Sequence, residues 1–141
     1  MAEFSLAGQT TQADDTIGMK IAVVAYPRLR TTDREWIEAF RAQHDPQSSK
    51  IRVHFTLVFP VEVVPNALAT DIRTAATATD ALTFAVRDAA VVRDALTGDH
   101  HIFLAPDQGA AELVALHDRL YAGTLAGHLR SQLALAPDFR Y

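Results

Sequence analysis

The sequence predicts an α+β fold in which a strand–helix–strand order occurs twice. Three observations carry this. Apolar runs of strand length alternate with segments of helical period. Two later strands lie close enough in sequence to pair as a hairpin around Thr97-Gly98-Asp99. The halves also echo one another: strand 20–26, helix 32–43 and strand 50–59 are matched by strand 100–105, helix 108–121 and a stub at 138–141. A chain of 141 residues, 49% hydrophobic and 21% charged, is sized for one domain with two lobes. Residues 1–18 read as a polar leader peripheral to the fold and 19–141 as the domain itself.

Taken in order, Lys20 to Tyr26 is a short apolar run closed by Pro27, which suits a strand buried on both faces near the middle of a sheet. Thr32 stands three residues before Glu35 at capping-box spacing. Trp36, Ile37 and Phe40 follow as the core-facing side of a helix that His44-Asp45-Pro46 ends. From Lys50 to Pro60 the pattern alternates. Ile51, Val53, Phe55, Leu57 and Phe59 form an apolar face, while Lys50, Arg52, His54 and Thr56 form a polar one. Pro65 opens a second helix with Leu68, Ile72 and Ala75 or Ala76 as its buried stripe. Residues 81–92 and 100–105 supply the hairpin strands. Asp107 is placed to cap a third helix carrying Leu113, Leu116 and Leu120, and Gly123 to end it in a left-handed conformation. Pro137 to Tyr141 reads as extended.

Composition removes several chemistries. Without cysteine there is no disulfide framework, thiolate nucleophile, iron–sulfur cluster or Cys-based zinc site. A net charge of −4 and no basic run argue against a protein that coats duplex DNA, although a single phosphate needs only two or three local donors. No HExxH, no His pair at i and i+4, no GxGxxG, no GxxxxGK[ST] and no GxSxG occurs, so neither a metal nor a nucleotide cofactor is expected. Met1 to Lys20 has no apolar stretch able to act as a signal or membrane anchor, and a cytoplasmic location is expected.

The candidate chemistry sits at His54 and Thr56. Two residues apart on a strand, they project from one face about 7 Å apart, with Arg52 a further step along the same side. An imidazole for proton transfer beside a hydroxyl and a guanidinium suits a phosphate ester; the competing account is an ordinary solvent-facing strand surface. The remaining histidines are weaker candidates. His44 complements a helix dipole, His100 and His101 face opposite ways, His117 lies within an apolar stripe, and His128 has no partner at ligand spacing.

The run His54-Phe55-Thr56-Leu57-Val58-Phe59-Pro60 resembles the 2H phosphoesterase superfamily, also called the 2′-5′ RNA ligase-like family. The similarity begins near Met19. It includes the strand ending Ala25-Tyr26-Pro27, the helix ending Arg41 to His44-Asp45-Pro46, and the Phe103-Leu104 strand followed by Gly109 to Tyr121. The resemblance implies a two-lobed, pseudo-twofold fold with mainly antiparallel sheets and helices packed outside. It also implies metal-independent phosphodiesterase chemistry on RNA-related 2′,3′-cyclic or 2′-5′ linkages. Two His-x-Thr/Ser motifs share the work in that family: one histidine acts as general base, the other protonates the leaving oxygen, and the hydroxyls bind phosphate oxygens. His54 and Thr56 match the first motif, and one strand does not decide whether His54 is the acid or the base.

Two positions after the other histidines stand Pro46, Ile102, Phe103, Arg119 and Arg130, never a hydroxyl. A second motif is expected just beyond a segment like Pro137-Asp138-Phe139-Arg140-Tyr141, so the domain is expected to be incomplete at its C-terminus, with its last strand truncated. Each member of an acid–base pair contributes about 10²–10⁴-fold, so half a site makes a poor catalyst. The alternatives are a non-catalytic binder of phosphate or RNA ends using Arg52, His54 and Thr56, or an assembly module whose sheet edge another chain completes. The partner expected is a small nucleotide or RNA-end phosphodiester.

Overall fold

The computed structural model describes residues 3–6, 19–93 and 98–128. Eight elements follow in chain order: β1 (Glu3–Leu6), β2 (Met19–Tyr26), α1 (Thr31–His44), β3 (Phe55–Val63), α2 (Pro65–Thr77), β4 (Ala85–Arg93), β5 (His100–Gln108) and α3 (Ala110–Leu120). The sheets are antiparallel, one ordered β1-β2-β3 and the other β4-β5. The architecture is α+β, as expected. The chain divides into two compact units, Met1–Ala67 and Leu68–Tyr141.

In the first unit β2 is the central strand. Val23, Val24 and Ala25 are buried in succession, so both faces of β2 are covered and the continuous apolar run is accounted for. The segment 1–18, read as peripheral, contributes the edge strand β1, whose four residues pair with Val23 to Tyr26.

The third strand differs from the alternation over 50–60: β3 begins at Phe55 and runs to Val63. Pairing slips twice. Between Ile21↔Val61 and Val23↔Val58, β3 advances three residues against two on β2. Between Val23↔Val58 and Val24↔Thr56 it advances two against one. Pro60, which lacks an amide donor, lies in the first slip, where a missing ladder bond is tolerated. Leu57 is the extra residue of the second, so Leu57 and Val58 are adjacent and both fully buried.

Helix α1 also departs from expectation. It starts at Thr31 after Arg30, without a side-chain cap, so no Thr32–Glu35 capping box forms. Its ends are instead matched to the helix dipole, with Asp33 in the first turn and Arg41 and His44 in the last. No residue of α1 is fully buried, and Trp36 and Phe40, expected in the core, are 64% and 40% exposed.

In the second unit, Leu68, Ile72 and Ala75 are the buried stripe of α2, as predicted. Strands β4 and β5 form the expected hairpin, with the pairs closest to the turn at Arg93↔His100. Gly98 has φ 79°, while Thr97 lies outside the described residues. The β4–β5 ladder slips around Arg87 and Asp107, again beside a proline, Pro106.

Asp107 does not cap α3. The N-cap is Gly109 at φ 81°, and a Cβ there would lie 2.5 Å from the Thr83 carbonyl oxygen, so both conformation and space demand glycine. Leu113, Leu116 and Leu120 are buried as predicted, followed by Tyr121 and Leu125. Gly123 is not left-handed. It serves a close approach, since a Cβ would meet Asp71 Oδ2 at 2.5 Å, where that oxygen accepts a bond from the Thr124 amide. Arg119 of α3 donates to Ala78 O and Thr79 Oγ1 just past the end of α2, supplying a partner for a carbonyl that the helix leaves open. The extended reading of 137–141 lies outside the described residues.

Candidate functional site

Arg52 and His54 precede the strand that alternation assigned them to. Only Thr56 sits within β3, half-buried opposite Val24. The backbone that carries Arg52 and His54 therefore finds its hydrogen bonds elsewhere, and α1 provides them. Arg41 Nη2 donates to the Ile51 carbonyl at 2.8 Å, and the Val53 amide donates to Glu38 Oε1 at 2.7 Å. Arg52 is thus flanked on both sides by peptide groups held to the helix.

The holding groups are themselves tied together. Arg41 Nη1 contacts Glu38 Oε2 at 2.9 Å, and its Nε and Nη2 both reach Asp45 Oδ2 at 2.8 Å. Asp45 Oδ1 in turn accepts from the Gln47 amide at 2.8 Å, an Asx turn that redirects the chain after α1. The Arg41 side chain is only 14% exposed. One guanidinium fork, two carboxylates and two backbone groups therefore fix the entry to the His54 segment.

Tyr26, the last residue of β2, joins the two candidate groups. The Arg52 guanidinium carbon lies 4.4 Å from the centre of the Tyr26 ring, a cation–π arrangement. The His54 ring meets Tyr26 edge-on with centroids 6.5 Å apart. His54 Nδ1 is 2.7 Å from the Arg52 carbonyl oxygen. A carbonyl only accepts, so Nδ1 carries the proton in that bond and Nε2 of the neutral ring is left as the nitrogen able to take one.

The structure thus gathers Arg52 and His54 around Tyr26 and sets Thr56 two residues on, in β3. Sequence reasoning passed over Tyr26, Glu38 and Arg41. The usable signal for the last two was Glu38, Arg41 and Asp45 recurring at helical spacing on one side of α1.

The other histidines have local partners of their own or stand exposed. His44 packs on Phe40 at 4.6 Å, and His117 is at the core edge, hydrogen-bonded to Asp118 at 3.1 Å with its ring on Tyr121. His100 and His101 are exposed on β5. Among the described residues no three His or carboxylate side chains gather as a metal site. No helix among them is long and apolar enough to cross a membrane.

The elements define an α+β protein, the fold class the resemblance implies. A family model described as the 2′-5′ RNA ligase superfamily matches residues 29–140, and the chain belongs to that superfamily. No curated protein and no solved structure is significantly similar to it.

Proposed function

We propose that this chain is a phosphodiesterase-type domain acting, without a metal, on RNA-related 2′,3′-cyclic or 2′-5′ phosphodiesters in the cytoplasm. The observation that carries the reading is the His54 ring. With Nδ1 committed to the Arg52 carbonyl, Nε2 is the only ring nitrogen free to move a proton, and the Arg52 guanidinium stands on the same Tyr26 ring. In hydrolysis of a cyclic phosphate, water adds to phosphorus and one ester P–O bond breaks. One group removes the water proton while another protonates the departing ribose oxygen, giving a phosphomonoester. His54 Nε2 is one of those groups, Arg52 neutralises phosphate charge, and the Thr56 hydroxyl binds a phosphate oxygen.

These 141 residues hold one His-x-Thr, which favours a second reading as a binder of phosphate or RNA ends. Incubation with a nucleoside 2′,3′-cyclic phosphate, followed by phosphorus NMR, separates the two. Slow conversion to monoester that falls by at least about 10²-fold in His54→Ala supports the enzyme. Saturable binding without conversion supports the binder, and no binding at all defeats both.

A further inference from the structure

The bonds around Arg52 share one peptide unit. The Val53 N–H and the Arg52 C=O belong to the same planar amide and point in opposite directions across it. The N–H donates to Glu38 Oε1 at 2.7 Å, and the C=O accepts from His54 Nδ1 at 2.7 Å. Read in order, the chain is carboxylate, peptide, imidazole.

We propose that Glu38 is the positioning residue for His54 and sets its tautomer through the Arg52–Val53 peptide, much as a directly bonded carboxylate orients a catalytic histidine. The inference rests on the reading of His54 as the proton-transfer group.

Three physical arguments support it. An amide whose N–H is bonded to an anion carries more negative charge on its oxygen, so it is a stronger acceptor for the imidazole N–H, as expected of hydrogen bonds in series. The amide plane is rigid, so anchoring its N–H also aims its carbonyl. Finally, Glu38 is itself held. Its second oxygen accepts from Arg41 Nη1 at 2.9 Å, and Arg41 also fixes the preceding carbonyl, that of Ile51, at 2.8 Å. The peptide is therefore restrained on both sides of Arg52, at a place where the sheet does not yet restrain it. The imidazole ring alone would not supply this preference, because a neutral histidine in water favours the Nε2–H form.

The test compares Glu38→Gln and Glu38→Ala with Asp45→Asn in the full chain. Glutamine is isosteric, yet its amide cannot accept from both Val53 and Arg41. Asp45→Asn perturbs the same arginine while leaving the peptide bonds in place. The tautomer of His54 is read from two-bond proton–nitrogen correlations of the ring, with the melting temperature recorded for each variant.

The neutral His54 is expected as the Nδ1–H form in the wild type and in Asp45→Asn, and as a mixture dominated by Nε2–H in both Glu38 variants. With a cyclic phosphate substrate, kcat should fall roughly ten- to a hundredfold in the Glu38 variants while KM changes by less than about threefold. Retention of the Nδ1–H form in folded Glu38→Gln or Glu38→Ala overturns the proposal. If neither variant folds, the wild type decides, since a neutral His54 in the Nε2–H form overturns it as well. A tautomer that follows Glu38 in a protein without cyclic-phosphate turnover upholds the relay and defeats the proposed hydrolysis, so the two readings fail separately.

Discussion

Each unit holds an arginine against carboxylate beside an irregular stretch of backbone, and the two arginines are used very differently. Arg41 is 14% exposed, bonded to Glu38, Asp45 and the Ile51 carbonyl. Arg87 is 69% exposed and meets Asp107 at 2.6 Å, where the β4–β5 ladder slips. The shorter contact is the weaker influence. An ion pair in water gains little, because screening and the entropy of two long side chains offset its attraction. Drawn partly out of water and bonded to backbone, the same chemistry constrains a loop, and its loss leaves carboxylates and a carbonyl without their donor.

The comparison can be broken at either end. Arg41→Ala should destabilise the protein by roughly 2–4 kcal/mol and weaken binding of a cyclic phosphate, measured by chemical denaturation and titration. A loss no larger than that of Arg87→Ala would remove the distinction between the two pairs. Gly109→Ala, which forces a Cβ against the Thr83 carbonyl at positive φ, should cost about 1–3 kcal/mol, with anion binding in the first unit unchanged. Arg87→Ala should leave the melting temperature at neutral pH where it is.

The smallest effect is one of pH. The Gln108 amide, and next the Arg87 guanidinium, hold the Asp107 carboxyl below its ordinary value. A depressed folded-state value contributes stability that is complete above the ordinary carboxylate range and lost as pH falls through the lowered value. Asp107→Asn should therefore show a slightly smaller decline in melting temperature across that acid window than the wild type, and an equal or steeper decline would contradict the assignment.

Much of the fold was legible in residue order because period and punctuation agreed. A continuous apolar run ending in Tyr26-Pro27 gave β2, Pro65 with Leu68 and Ile72 gave α2, and the leucines at 113, 116 and 120 gave the buried side of α3. The start of β3 was hidden because the apolar alternation continues backward through Val53 and Ile51 into backbone that pairs with α1 instead of β2.

In α1 the aromatic residues marked one side as the core, yet contact falls on the charged side, where Glu38 and Arg41 reach the loop. Trp36 stacks only on its helical neighbour Phe40 among its described ring contacts, centroids 6.2 Å apart. The bond from Glu38 to the loop could not be found by matching side chains, since it is made to a main-chain amide that any residue but proline at position 53 would present. His54, Thr56 and Arg52 were visible as residue types; their spacing on one strand face was not realised, because the strand begins one residue after His54.

The late start of β3 also bears on the order in which the chain assembles. β4 and β5 are separated by the six residues 94–99, whereas β2 and β3 are separated by the twenty-eight residues 27–54, which include α1. Closing the longer connection costs about 1.4 kcal/mol more in chain entropy, so the hairpin is expected to form early and the β2–β3 pairing later. The peptide that aims His54 is settled only after α1 has formed and docked its charged side. Refolding should therefore restore strand signal before it restores the proposed affinity for a phosphate ester, and the interval between the two measures how long the chain exists with a sheet but without the Glu38–Val53 bond.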